Sequence, residues 1–426
     1  MRETEWIAAG VFLLCYTLFV LLPKHRASTA AAGAAALVIT GTVGLQDALT
    51  QKIHWNVIGL FMGTLVLADL FMQSRAPAAI AGHVIARTRT VRGATLAICT
   101  LSGLLSMFVE NVAVVLVMAP IALSVARKLD TSPVPTLILI AVSSNLQGTA
   151  TLIGDPPSMI LADHMHMNFV DFFVYRGRPG IFWPVQAGAV CALAIAAYLL
   201  RREVKAVVQP PDEPVRSWVP SVLLVAFVIT LSFASLVDPD FKWFAGALAV
   251  CLATGGVLWM RLGPRWQSVR AAFRAMDWDT GVFLAGIFVI VGVLSETGLM
   301  GTVAGVIARI AGNRPLAAFL TVTLTAVAVS AFVDNVPFLL AMLPVVQKVA
   351  DTAGIQTPLL LFGLLIGSCL GGNITPIGAS ANIVAVGICR KQGFEVSFQD
   401  FVAIGLPFTI AAVVGAGTTV WLLWGR

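Results

Sequence analysis

Ser143-Ser144-Asn145-Leu146-Gln147-Gly148-Thr149-Ala150-Thr151-Leu152-Ile153-Gly154-Asp155-Pro156-Pro157-Ser158 lies between two apolar runs, Leu137-Ile138-Leu139-Ile140 and Met159-Ile160-Leu161. Flanks of that kind belong to a membrane span. The segment between them does not: it holds two glycines, an aspartate, two adjacent prolines and a succession of Ser, Thr, Asn and Gln side chains. Proline removes a backbone donor and clashes with the preceding turn, so the helix is expected to break here. An opened backbone at membrane depth survives only where protein or a water-filled cavity covers it, and such breaks mark binding sites.

The pattern returns. Gly148-Thr149-Ala150-Thr151-Leu152-Ile153-Gly154 aligns with Gly372-Asn373-Ile374-Thr375-Pro376-Ile377-Gly378. At the same shift, Ser106-Met107-Phe108-Val109-Glu110-Asn111-Val112 aligns with Ser330-Ala331-Phe332-Val333-Asp334-Asn335-Val336, and Pro120 with Pro344. Two separate motifs at one spacing indicate an internal duplication.

Composition fixes the environment. The chain is 58% hydrophobic and 11% charged, with mean hydropathy +0.91, whereas soluble domains carry about 25% charged residues. This is a polytopic membrane protein with the lipid bilayer as its surroundings. The net charge of +6 does not point to nucleic acid, because the basic residues sit in short loops between apolar spans, where positive charge sets orientation. The six cysteines fall in or beside apolar spans with no CxxC pattern, so neither a zinc site nor a disulfide framework is expected.

A crossing needs about 20 apolar residues. Spans are expected near 6–22, 27–45, 55–72, 134–163 (broken), 181–200, 218–237, 243–261, 279–296, 357–390 (broken) and 403–424. Segments 93–128 and 315–350 each carry two arms around a polar centre, Glu110-Asn111 or Asp334-Asn335. At about 15 residues an arm is short for a crossing, and both segments read as re-entrant hairpins. With both termini outside, most of the 27 Lys and Arg fall in cytoplasmic loops, including Lys24, Arg26, Arg75, Arg87, Arg201 and Arg261. Reading 93–128 as one full crossing would put the later basic clusters outside, against the positive-inside tendency.

The expected fold is therefore an all-α polytopic membrane protein. It is an inverted repeat of two halves, each with five crossings (one broken) and one re-entrant helical hairpin. Residues 1–200 form the first repeat, 201–217 a cytoplasmic linker and 218–426 the second repeat. Inversion leads us to expect that the tips at Glu110 and Asp334 are reached from opposite sides. The chain is placed in a bacterial inner membrane.

Acids at membrane depth are costly and face a cavity or a partner. Glu110 and Asp334 are candidates for proton or cation coupling; the plain alternative is that each ties its own hairpin turn. Asp155 has Ala379 as its repeat counterpart and either caps the restarting helix or meets a ligand. Asn111 and Asn335 can serve a ligand or tie the turn. Candidate substrate contacts at the first break are Ser144, Asn145, Gln147, Gly148, Thr149 and Thr151. At the second they are Ser368, Cys369, Gly372, Asn373, Thr375, Ser380 and Asn382. Half-helix ends at a break offer carbonyls to cations and N–H groups to anions. No Lys or Arg falls at the middle of an expected span, which favours a neutral or cationic substrate. No metal site and no organic cofactor is expected; the proton gradient would drive the process, with sodium as an option.

Phe108-Val109-Glu110-Asn111-Val112, Gly148 through Pro157, Phe332-Val333-Asp334-Asn335-Val336-Pro337 and Gly371-Gly372-Asn373 through Asn382 resemble the signatures of the ArsB/NhaD/P-protein permease family of the ion transporter superfamily. The resemblance spans nearly the whole chain. It implies secondary active transport on a re-entrant hairpin scaffold, and related divalent-anion symporters are often dimeric, so a homodimer is an expectation. Similarity in length to arsenite efflux permeases implies proton-coupled export of arsenite and antimonite. Cys369, beside the second break, would then be of interest as a soft arsenic ligand; the plain alternative is a small residue in a membrane helix. The alternatives are a sodium/proton antiporter and an organic-anion carrier. A channel fits inverted halves poorly. A membrane enzyme would need a constellation such as HExxH or GxSxG, and neither is present.

Overall fold

Each hairpin leaves the helix for a four-residue turn that ends on an acid. In the computed structural model of the chain, α5 (Val91–Ser106) ends before Glu110 and α6 (Asn111–Leu129) begins after it. In the second half, α13 (Pro315–Ser330) and α14 (Asn335–Ala353) flank Asp334 in the same way. The breaks follow the same logic. Helix α7 (Val134–Gly148) stops at glycine, and α8 (Pro156–Met165) restarts on two prolines, which fit a first helical turn. Helix α15 (Thr357–Gly371) and α16 (Ser380–Lys391) repeat this about a short 3₁₀ turn at Gly372–Ile374.

The remaining long helices are α1 (Glu3–Leu21), α2 (Arg26–Ile39), α3 (Trp55–Gln73), α9 (Phe182–Leu199), α10 (Val219–Ser232), α11 (Phe244–Leu262), α12 (Trp278–Ser295) and α17 (Phe398–Trp424). The structure describes residues 3–129, 131–203, 205–206, 214–263, 276–297, 301, 304–305 and 314–425. Most of the Pro-rich part of the expected linker, 207–213, lies outside the described residues, as do Arg265, Arg270 and Arg274.

The two halves exchange partners symmetrically. Helix α2 packs on α12, and its counterpart α11 packs on α3, the counterpart of α12. Helices α9 and α17 pack on each other, α5 lies on α7, and α13 on α15. Glycine makes the exchange close. A Cβ on Gly63 would sit 2.6 Å from Ala249 of α11, and one on Gly286 would sit 2.6 Å from the backbone of Ala30 in α2. Small residues at membrane helix contacts allow this backbone approach. The all-α inverted repeat is the fold of the molecule.

Two features differ from the sequence reading. The stretch after Arg75, expected as a loop, contains an eleven-residue helix, α4 (Ala76–Ala86), that packs on both arms of the first hairpin. The second arm of each hairpin is 19 residues, not about 15. At 1.5 Å per residue that is roughly 28 Å, so length alone does not separate a hairpin arm from a crossing. What marks the arms is where their shared turns meet.

Candidate functional site

The turns meet at one cavity of about 450 Å³. Both hairpin tips line it, with Glu110, Asn111, Asp334 and Asn335. So do Asn145, Asp155 and Pro156 from the first break and Ala379, Ser380 and Ala381 from the second. The wall is completed by α3 (Phe61, Leu65, Asp69, Met72), by α12 with the residues before it (Met276, Asp277, Thr280, Phe283), and by Arg26 at the start of α2. Both hairpin tips thus face one shared space, as two hairpins entering from opposite sides of an inverted repeat can.

Four helices begin at this space: α6 at Asn111, α8 at Pro156, α14 at Asn335 and α16 at Ser380. Each N-terminus presents unpaired N–H groups and a partial positive charge of about half a unit. An acid stands at three of them. Glu110 Oε2 accepts from the Ala113 N–H at 3.0 Å. Asp334 Oδ1 accepts from the Val336 N–H at 3.1 Å. Asp155 holds the capping position of α8 but its carboxylate makes no capping bond; it accepts from Asn335 Nδ2 at 3.4 Å. The fourth, α16, starts after Ala379 and has no side-chain cap.

Arg26 alters the charge pattern. Its Nη1 donates to Asp334 Oδ2 at 2.6 Å and its Nη2 to Thr280 Oγ1 at 2.9 Å, while the guanidinium lies 5.4 Å from the centre of the Phe283 ring. Thr280 Oγ1 in turn donates to Asp277 Oδ2 at 2.5 Å. Asp69 accepts from Gln73 Nε2 at 2.7 Å, one turn along α3. Among the described lining residues there are five carboxylates and one guanidinium. No Lys or Arg falls at the middle of an expected span, yet Arg26 reaches the cavity from the start of α2. This residue reads as part of a basic loop because Lys24 and His25 precede it, but it is the first residue of a helix whose N-terminus abuts α12. Asp69 was also missed, although an acid inside an apolar span is itself a signal.

Several candidate contacts make hydrogen bonds within the scaffold. Asn145 Nδ2 donates to Asn373 Oδ1 at 2.8 Å and Asn382 Oδ1 at 3.0 Å, joining the two breaks. Asn373 Nδ2 reaches the Val142 carbonyl at 3.2 Å, and Asn382 Nδ2 reaches the carbonyls of Gly372 and Thr375, both at 2.9 Å. Thr151 donates to the Met107 carbonyl and Thr375 to the Ala331 carbonyl, so each break is tied to its own hairpin turn by the same bond. Gln147 exchanges hydrogen bonds with Gln186, and Thr149 bonds back to Asn145. Gly148 packs against the Asn111 side chain, and Gly372 lies against Gly378. Ser144, Ser368 and Cys369 are buried away from the cavity lining, and the Ser368 hydroxyl bonds to the Leu365 carbonyl at 3.1 Å. Of the candidate substrate contacts, Asn111, Asn145, Asn335 and Ser380 face the cavity.

Away from the cavity lining, Lys52 pairs with Glu296 and Asn56 Nδ2 donates to the Phe241 carbonyl at 2.7 Å, both joining the two halves, while His54 Nδ1 lies 2.6 Å from Asp163 Oδ2 within the first half.

Comparison with known proteins places this geometry. The family described as citrate transporter matches residues 16–260 and 243–425. An uncharacterized transporter of Mycobacterium bovis is 28% identical over 98% of each chain. The human P protein is 24% identical over 95% of this chain and 58% of its own length. Among solved structures, the YdaH transporter of Alcanivorax borkumensis, described as having an unusual topology, has the same fold, with a TM-score of 0.64 at 15% identity over 99% of this chain and 98% of that one.

Proposed function

The chain belongs to the citrate transporter family, and from that premise we propose that it is a proton-coupled secondary active transporter of a small organic anion, working by alternating access. The observation that carries the anion is the unacidified N-terminus of α16, facing a cavity that also holds Arg26. Helix N-termini bind anions through free N–H groups, and guanidinium suits carboxylate geometry. The carboxylates supply the coupling. An anion meets five acids on this wall, so it binds well only when some are protonated. Anion affinity and proton affinity then rise together, as linkage requires. Glu110, Asp155 and Asp334 stand at separate helix starts, which suits individual protonation.

The positive-inside orientation directs the cavity to the cytoplasm. Its walls are the C-terminal half of α3, which leads to Arg75, and the N-terminal end of α12. The His54–Asp163 and Lys52–Glu296 pairs then close the outer side. Arsenite export rests on the resemblance in sequence, and the buried thiol of Cys369 stands apart from the cavity lining.

Radiolabelled citrate in proteoliposomes tests the reading. Uptake should follow an imposed pH gradient, collapse with a protonophore, and persist when choline replaces sodium. Arsenite movement driven by the pH gradient, with no citrate uptake, would return the export reading to first place; strict sodium dependence would replace the proton.

A further inference from the structure

The Arg26–Asp334 pair joins the only described guanidinium on the cavity wall to one of its acids. It is an incompletely buried pair, with side chains 28% and 35% exposed, so water and protons reach it. It also joins two parts of the machine: Arg26 starts α2, on the first half's scaffold, and Asp334 forms the second hairpin's tip. A salt bridge there holds the tip to the scaffold and at the same time occupies the donor that an anion needs.

We infer that Arg26 is the anion receptor and that Asp334 is its proton-controlled competitor. This rests on the organic-anion reading above. With Asp334 ionised, its Oδ2 takes the Arg26 Nη1–H and the cavity presents no free guanidinium. A proton from the more acidic side adds to the Asp334 carboxylate and makes it a neutral acid. Arg26 keeps its own proton and its charge, and turns its N–H groups to a carboxylate of the substrate. Proton and anion cross together. When the anion leaves, Arg26 pairs with Asp334 again and the proton departs on the other side.

The surroundings suit this exchange. Thr280 on α12 holds Nη2 and fixes the guanidinium while Nη1 changes partner. Asp277 on the same helix, Asp155 before α8, Glu110 before α6 and Asp69 on α3 also face the cavity. Each can accept a proton, but none has an arginine partner among the described contacts. Tyr16 on α1 donates to the carbonyl of Pro337, which steadies the Asp334 turn independently of the ion pair. The tip therefore has a second hold when the salt bridge opens.

The test compares exchange with gradient-driven uptake, using citrate as the probe, in wild type, Arg26→Gln, Arg26→Lys and Asp334→Asn. Loss of one close charge contact should weaken apparent citrate affinity in Arg26→Gln by roughly 30-fold in both modes. Arg26→Lys should recover part of it, which separates lost charge from lost fold. Asp334→Asn should keep citrate/citrate exchange and lose its stimulation by a pH gradient. Wild-type affinity in Arg26→Gln, or a normal gradient response in Asp334→Asn, would overturn the inference. A substrate-free readout accompanies these: the infrared carboxylic-acid band of Asp334, assigned by difference against Asp334→Asn. Its pH response should change when Arg26 is replaced by Gln, and an unchanged response would overturn the pairing whatever the substrate. Absence of uptake of any carboxylate by the wild type would instead overturn the organic-anion reading, with the band still reporting on the pair.

Discussion

The two hairpin tips share a backbone and differ in what holds them. Glu110 bonds to the start of its own helix, and the turn is closed by Ser106 Oγ donating to Asn111 Oδ1 at 2.6 Å. All of those contacts lie within one hairpin. Asp334 makes the equivalent bond to its own helix but is also held from outside, by Arg26 of α2, while Tyr16 of α1 reaches Pro337. The packing equivalence of Ala30 with Ala249 puts apolar Phe244-Ala245 where the second half would need its arginine. Duplication copied the hairpin and the break. The arginine–carboxylate pair on the cavity wall occurs once among the described residues, at the interface between the copies.

The largest effects should fall on what the halves share. A Cβ at Gly154 would lie 2.7 Å from the Ser106 carbonyl oxygen, and one at Gly378 would lie 2.6 Å from the Gly372 oxygen and 2.9 Å from that of Ala331. These are backbone contacts that cannot swing aside. Gly154→Val and Gly378→Val should each destabilise by about 3 kcal/mol, read as loss of monodisperse protein after detergent extraction. If only one of them is damaging, the two breaks are not equivalent supports.

Next come the tips. Arg26→Ala and Asp334→Ala each strand a partner in a half-shielded wall and should cost about 1–3 kcal/mol. The double variant should cost less than their sum, with a coupling of about 1 kcal/mol in a thermal double-mutant cycle. Glu110→Ala loses a helix cap, about 1 kcal/mol, and should add to Arg26→Ala without coupling. Coupling of Arg26 to Glu110 as strong as to Asp334 would erase the distinction between the tips.

The smallest effect is at Tyr16. Tyr16→Phe removes one hydrogen bond to the second tip, worth about 1 kcal/mol. The melting temperature should fall modestly, with citrate exchange retained.

The scaffold was legible because its signals are local. Gly148, Gly154 and Pro156-Pro157 must break a helix wherever they stand, and Glu110 and Asp334 cannot be left in hydrocarbon. The repeat spacing then paired them. Site membership was less legible because it depends on which way a side chain points after two halves have met. Thr151, Thr375, Asn373 and Asn382 carry the chemistry of ligand contacts, but a broken helix also needs its own backbone groups satisfied, and these residues do that. Arg26 was hidden by its neighbours: Lys24-His25-Arg26 has the composition of a loop that sets orientation. Its role depends on α2 packing against α12, a contact about 250 residues away along the chain that no local pattern encodes. Helix α4 was missed for a similar reason, since Arg75 and Arg87 bracket an apolar stretch too short to count as a crossing.

The most direct measurement is the ratio of gradient-driven citrate uptake to citrate exchange in Glu110→Gln and Asp334→Asn, taken side by side in the same vesicles. Glu110→Gln should keep a ratio near that of the wild type, because its turn is tied within its own hairpin. Asp334→Asn should fall to the ratio seen without a gradient, because the competitor for Arg26 no longer takes a proton. Equal loss in both variants, or loss in Glu110→Gln alone, would contradict it.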